Sequence, residues 1–564
     1  MKKVSFVLLL LFVFASLFAQ EVVKPGMGQK IDNYLQKAIN NGWTGSVLVA
    51  QKGDIIIAKG YGFADKESKR LQTSETVFSI GSITKQFTGA AILKLETQGK
   101  LSTNDLITKY FKDVPDDKKN ITLHQLLTHS AGFRGAMGGD YDTIRAEDFI
   151  KLAMNAPLLF KPGERYEYSN VGYSLLGIII EQVSGKNYET YLYDNIFKPA
   201  GMEKTGYLRP KFNKEQLAVG YRQGNRWGTA LDRPWREDGP GWHLRANGGI
   251  LSTVDDMHKW ALALKNNTVL SAAAKEKYFT PHIKEYEDGN SYYGYGWVNQ
   301  KSPYNTTQIW HNGGNGVYNA FMGMDLDEDI TIIISSNIAG KISDDLAIRI
   351  NDILHGQFQE LDAKLIAQYQ GVYQLASGSK IQIHFNENNE LITTFEGADA
   401  AKLLIGNDDN EESCKICKEY DNRTKDILEK VLNNDFSALA KAWGEPLDEV
   451  QERAAPFWNA QKEMFGKVNT IESLGTFKRP QTWISFAKIQ FEKQPLFLMY
   501  IWENDQLMGV RDMPIMDKIF EMQSDTTFFS PSNSKTLIFE KSKNGKMQIK
   551  IGNNERSIVA EKVE

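Results

Sequence analysis

Two sets of strand-forming runs, one early and one late in the first two-thirds of the chain, constrain its fold most. Residues 45–59 read as a hairpin: SVLVAQ and IIIAKG flank the turn KGD. Much later, Gln308–Trp310 and Ile330–Ser335 read as two further strands around a glycine-rich turn. The segments between are helical. Ile83, Phe87, Ala90, Ala91 and Leu95 recur at helical spacing within Ser82–Gln98, and Gly99 is a stop signal. Asn170–Val183 is a second apolar helix, closed by Ser184-Gly185, and Asp255–Lys265 a third behind Ser252-Thr253. Strands at both ends with helices between predict an α/β sandwich with a helical region.

The chain has 564 residues, too many for a single core. With 41% hydrophobic and 24% charged residues it is globular in composition, not disordered, collagenous or heptad-built. The net charge of -4 and the lack of a long basic run exclude nucleic acid as an expected partner. After about Phe358 the character changes. Tyr369–Tyr373, Lys380–Phe385, Glu390–Phe395, Leu537–Glu540 and Met547–Ile551 read as short strands, the last two joined at Asn544-Gly545. Lys425–Leu432 and Phe436–Trp443 read as helices, and Trp483–Phe491 and Leu496–Trp502 as strands. The expected organisation is a catalytic-sized domain over 20–357, a small β domain in two halves, 358–410 and 515–564, and an α+β insertion over 411–514.

Residues 1–19 read as a signal peptide: Lys2 and Lys3, then the apolar Val4–Phe18, then Ala19 before Gln20. Leu17 departs from the small-x-small pattern, and an uncleaved anchor helix is the alternative, although the run is short for a bilayer. Loss of both lysines takes the net charge from -4 to -6. No second run of spanning length follows, so the mature protein is expected to lack a transmembrane helix and to be periplasmic or secreted. The only cysteines, Cys414 and Cys417, read as a local disulfide or two idle thiols. A zinc site would need two further ligands nearby, and none is close in sequence.

Three motifs can carry chemistry. Ser82 and Lys85, three apart where a helix opens, share a face, and a serine hydroxyl needs such a base. Lysine serves as one only when uncharged. Ser377/Lys380, Ser485/Lys488 and Ser532/Lys535 have the same spacing but lie in strand-like or loop contexts. The plain alternative is an N-capping serine beside a solvated lysine. Tyr168-Ser169-Asn170 precedes the second helix; tyrosine can relay protons and the asparagine amide can hold both a carbonyl and a lysine. Tyr193/Asn195 and Tyr420/Asn422 repeat that spacing, and packing alone can explain Tyr168. His311-Asn312-Gly313-Gly314 is the only HxG, and the Gly314 N–H can join that of Ser82 as an oxyanion donor. His311 can bond the Tyr168 oxygen or a substrate carboxylate. A glycine-rich turn with an incidental histidine is the alternative.

The order of these motifs resembles the serine β-lactamase and penicillin-binding-protein family, its class C β-lactamase, D-alanyl-D-alanine carboxypeptidase and esterase relatives above all. The resemblance covers about residues 28–357. It runs through GSVLVAQKGDIIIAKGYGFAD, FSIGSITKQFTGAAILKL, ITLHQLLTHSAGF, FKPGERYEYSNVGYSLLGIIIEQVSG, GGILSTVDDMHKW and WHNGGNGVY. It implies a β-lactamase/transpeptidase-like α+β sandwich with an antiparallel sheet. It implies a serine hydrolase with Ser82 as acylated nucleophile, Lys85 and Tyr168 sharing proton transfer, and Asn170 orienting substrate and Lys85. His311 stands where many members carry lysine, Asn312 at a Thr or Ser position, and Gly314 takes the oxyanion role, with Asn312 and Gly313 beside it at the substrate. Histidine there removes a permanent charge, which suits esterase-like members better than efficient β-lactam hydrolysis. Neither cofactor nor metal is called for. The expected substrates are esters, amides or cell-wall-type D-amino-acid peptides; a β-lactam- or peptidoglycan-binding sensor that acylates without turnover, or a partner-binding envelope protein on the same fold, is the competing expectation. More weakly, the tail resembles a lipocalin-like β domain and the insertion a nuclear-transport-factor-like (NTF2-like) cone.

Overall fold

The structure is a computed structural model. It describes residues 21–563 except 41, 223–224, 288, 339–341, 358–362, 386–390, 397–398, 401–402, 404–410, 479–481, 504, 514–517, 525, 531–534 and 553–556. The expected leader lies outside the described residues. Among those described, no helix is long and apolar enough to cross a membrane.

The chain divides into two units, 1–358 and 359–564. In the first, the early hairpin and the late strands meet in one antiparallel nine-stranded sheet. Its order is Val22–Val23, Asp54–Tyr61, Gly45–Gln51, Ile330–Ser336, Asn319–Asp325, Thr307–Gly314, Val298–Lys301, Ser291–Tyr293, Ile283–Lys284. Strand alternation divides the hydrophobic residues between two faces. Val47, Val49, Ile332 and Ile334 pack with Ile31 and Leu35 of helix Met27–Asn40 and with Leu346 and Ile350 of helix Ile342–Leu354. Leu48, Ala50 and Ile333 point the other way, into the core of the helical region. Helix Thr84–Thr97 is central to that core: Phe87, Ala90, Ala91, Ile92 and Leu95 are all buried. Having neighbours on nearly every side, it also buries polar residues, and each needs a partner. The Gln86 side-chain oxygen accepts from the Trp260 indole, and the Thr88 hydroxyl donates to the Ala246 carbonyl.

Two elements differ from the sequence expectation. Ser82 lies in a short 3-10 turn, Gly81–Ile83, and the α-helix begins at Thr84. The stretch expected as a glycine-rich turn is strand: Thr307–Gly314 runs through both glycines, and Asn319–Asp325, not foreseen, returns between it and Ile330–Ser336.

In the second unit, eight antiparallel strands close into a barrel: Gly371–Leu375, Lys380–Phe385, Leu391–Glu396, Lys518–Ser524, Thr527–Ser530, Lys535–Lys541, Met547–Gly552 and Ser557–Lys562. Tyr373, Ile381, Phe528, Phe539 and Ile549 form its core. Between the third and fourth strands the described residues include helices Glu411–Leu432, Ser437–Trp443 and Leu447–Phe465. A four-stranded sheet, Val468–Lys478, Trp483–Phe491, Pro495–Glu503 and Gln506–Met513, follows them. Leu428, Val431 and Trp458 pack on Phe491 and Trp502. Residues 369–370, expected as strand, belong instead to the end of helix Ala363–Tyr369 and its exit. Cys417 is buried on helix Glu411–Leu432; the Cys414 side chain is outside the described residues.

Candidate active site

Backbone pairing fixes Ser82. Phe78–Ser79 pairs with Leu251–Ser252, and the Ile80 N–H donates to the Ile250 carbonyl. Gly81 then turns with φ +51, a conformation that side chains other than glycine rarely adopt. Three residues on, Lys85 is fully buried, and its Nζ donates to Ser82 Oγ (3.0 Å), Asn170 Oδ1 (2.8 Å) and the Asn247 carbonyl (2.9 Å). Burial holds its pKa well below the usual lysine range, opposed only in part by the Asp140 carboxylate.

Tyr168 and Asn170 are held from residues 129–135. Asn170 opens helix Asn170–Ser184 and its N–H donates to the Gly135 carbonyl (2.8 Å). The Ser169 N–H donates to His129 Nδ1 (3.0 Å) and its hydroxyl to the Arg134 carbonyl (2.7 Å). The Tyr168 hydroxyl is near enough to Ser82 for that residue to lower its pKa in part, and its ring centroid lies 4.8 Å from Lys85 Nζ. Dehydration keeps that hydroxyl protonated well above the usual tyrosine range. Asn170 thus meets Lys85, and Tyr168 stands beside Ser82.

The glycine strand completes the group. Of strand Thr307–Gly314, Val298–Lys301 pairs with residues Thr307–Trp310, so beyond Trp310 that edge of the strand is left to the Ser82 turn. The approach is between backbones: a Cβ on Gly313 would sit 1.9 Å from the Ile80 carbonyl oxygen, and one on Gly81 would sit 2.5 Å from the Gly314 nitrogen. Glycine is needed at both places, and this contact brings Gly314 beside Ser82.

His311 and Asn312 differ from expectation. His311 is buried, and its Nε2 meets the Tyr293 hydroxyl (3.0 Å), not the oxygen of Tyr168, whose ring is 6.2 Å away. Burial, with Lys85 adding to it, pushes the His311 pKa down to about 3, so it offers no positive charge at neutral pH. Asn312, expected at the substrate, points to the opposite face by strand alternation, and its amide donates to Asp344 of helix Ile342–Leu354 (2.7 Å).

Three residues at the site were not singled out by motif. His129, with φ +57, is packed against Tyr168, Tyr173 and Tyr293 at ring-centroid distances of 4.4, 5.1 and 4.6 Å. Tyr293 supports His311. Asn247 supplies a carbonyl, and its side-chain amide donates to the Ser174 hydroxyl and the His243 carbonyl. His129 lies inside the quoted stretch ITLHQLLTHSAGF, so its signal was present without a role. A backbone carbonyl such as that of Asn247 has no side-chain signature.

This fold, with serine and a buried lysine joined at a helix start, defines a class of serine acyl-transfer proteins. The chain belongs to the Beta-lactamase family, whose model matches residues 32–357. That membership implies serine acyl-enzyme hydrolase chemistry. Penicillin-binding protein 4* of Bacillus subtilis (strain 168) is 29% identical over 388 residues, covering 63% of this chain and 84% of the relative. The octameric penicillin-binding protein homologue of Pyrococcus abyssi superposes with a TM-score of 0.56 at 21% identity, covering 94% of this chain and 99% of that one. A D-amino acid amidase from Ochrobactrum anthropi SV3 gives 0.52 at 24% identity over 58% of this chain and 98% of its own. These two likenesses concern the fold.

Proposed function

We propose that this protein hydrolyses esters, amides or D-amino-acid peptides through an acyl-enzyme on Ser82. One observation carries the proposal: buried Lys85 bonds Ser82, Asn170 and the Asn247 carbonyl at once. A lysine so dehydrated sheds its proton far more readily than one in water, and in its neutral form it can take the Ser82 proton. Oγ then attacks the carbonyl carbon, and the N–H groups of Ser82 and Gly314 receive the oxyanion. Tyr168, beside Ser82, passes a proton to the departing amine or alcohol, with Lys85 replenishing it. Water, activated by the same pair, attacks the ester, releases the acid and returns the proton to Ser82. Asn170 orients Lys85 and the substrate carbonyl. His311 and Gly313 shape the strand.

Exposure to a fluorophosphonate, a penicillin and a p-nitrophenyl ester, each read by intact mass, tests this. Ester turnover with an adduct confined to Ser82 supports hydrolysis. A penicillin adduct that is never released, without ester turnover, would favour a sensor.

We further infer export, from Lys2, Lys3 and the apolar run that follows. For the second unit we infer a lipocalin-like barrel with an NTF2-like insertion. The eight-stranded closure and, among the described residues, the helices that precede a four-stranded sheet support this.

A further inference from the structure

His129 takes its place from the local sequence. Thr122 and Gln125 close the start of helix Leu123–Leu127 with a reciprocal pair of side-chain bonds, and the helix ends at Thr128, whose N–H donates to the His124 carbonyl (3.0 Å). His129 follows with φ +57, a left-handed conformation that histidine and asparagine enter more readily than most residues. Its side chain is 2% exposed and lies among Tyr166, Tyr168, Tyr173 and Tyr293.

Two bonds run from His129 to the residues on either side of Tyr168. Its carbonyl accepts from the Glu167 N–H (2.9 Å), and its Nδ1 accepts from the Ser169 N–H (3.0 Å). The ring also packs on Tyr168 itself, with 4.4 Å between centroids. Because Nδ1 accepts, the proton of the neutral ring is on Nε2, which is buried and has no hydrogen-bond partner among the described residues. The bond to Ser169 therefore sets the ring. An imidazolium would turn a second N–H against that of Ser169. Burial, with the charges of Lys85 and His311 adding to it, holds the His129 pKa well below the usual histidine range. Asn170 has an anchor of its own in the Gly135 carbonyl, so what His129 secures in particular is Tyr168.

We propose that His129 is a positioning residue for Tyr168, and that through it the protein cleaves bonds whose leaving group must be protonated, those of amides and alkyl esters, as well as activated esters. This rests on the acyl-serine mechanism above. As the C–N or C–O bond breaks, the tyrosine proton passes to the departing nitrogen or oxygen and Lys85 restores it; His129 neither gains nor loses a proton. Such a transfer needs heavy atoms within hydrogen-bond reach, and misplacement by 1 Å can cost about 10²-fold. Nitrophenolate leaves without a proton, so a displaced Tyr168 is felt little by its ester.

The test is kcat/KM of the full chain for p-nitrophenyl butyrate and ethyl butyrate, which pass through the same acyl-enzyme. In Tyr168→Phe the ratio of nitrophenyl to ethyl ester should rise by about 10²-fold, the scale of a lost general acid. His129→Phe keeps a ring without the acceptor and should raise it roughly tenfold or more. His129→Asn keeps an acceptor, Oδ1, near the place of Nδ1 and suits the left-handed backbone; its ratio should stay within about threefold of the wild type. Should His129→Phe not fold, His129→Gln, whose amide lies one carbon further out, makes the same comparison with asparagine. Adding His129→Phe to Tyr168→Phe should leave the ratio of Tyr168→Phe as it is. A residue that merely supports the fold slows both esters alike. An unchanged ratio in the acceptor-lacking variant, an asparagine variant shifted as far, additive effects in the double variant, or a wild type inert towards ethyl butyrate alone would each overturn the role of His129. A wild type that cleaves neither ester would instead overturn the hydrolytic mechanism beneath it.

Discussion

At the scale of single residues, the chemistry depends on how far burial drives Lys85 from its aqueous behaviour. Arginine cannot give up its proton, so Lys85→Arg should slow fluorophosphonate labelling of Ser82 by about 10²–10⁴-fold, the usual contribution of a positioned base. Labelling at the wild-type rate would remove Lys85 from that role. The acid limb of kcat/KM should belong to Lys85 and lie below the ordinary lysine value of 10.5. His311 makes a separate prediction. The unfolded chain takes up this proton near pH 6.5, the folded chain only near 3. Stability should therefore fall as pH drops through that interval, by up to roughly 1.4 kcal/mol per unit from this group. His311→Asn should lose stability less steeply between pH 6.5 and 4 in urea titrations; an identical slope would contradict the burial of a neutral histidine. Ser82, Lys85, Tyr168 and Asn170 were legible because each belongs to a short pattern at a helix start. Asn247 and Tyr293 were not, since long-range folding alone brings them to the site.

At the scale of elements, the contact between strand Thr307–Gly314 and the Ser82 turn decides the outcome. The sequence reading took the two glycines for a turn, because glycine favours turns and weakens strands. Here their missing side chains admit another backbone. Gly313→Ala should push the strand from the turn, cost about 1–3 kcal/mol of stability and lower turnover by 10²-fold or more, with the Gly314 donor displaced. Wild-type turnover in that variant would mean the strand has no part in the reaction. Asn312→Ala is the contrasting case. It should cost about 1 kcal/mol by breaking the bond to Asp344 while sparing kcat. A loss of kcat as large as that of Gly313→Ala would return Asn312 to the substrate face. Strand alternation makes the difference between these neighbours, and it could be applied only once residues 311–314 were known to be strand.

At the scale of the whole molecule, the first unit carries complete cores on both faces of its sheet, drawn from Val22 through Leu354. A protein ending at Gln357 should therefore fold and keep a labelling-competent Ser82; an unfolded or unreactive product would show that residues 358–564 are needed. The division near Phe358 was visible as a change from long apolar helices to short strands. Helix Leu447–Phe465 was not, having Pro456 within it. The most direct test of the central claim is intact mass and peptide mapping after brief exposure to a fluorophosphonate, with Ser82→Ala in parallel. One adduct, mapped to Ser82 and missing from Ser82→Ala, is the expected result. Folded protein that stays unmodified, or an adduct that persists in Ser82→Ala, would contradict an acyl-serine mechanism at this site.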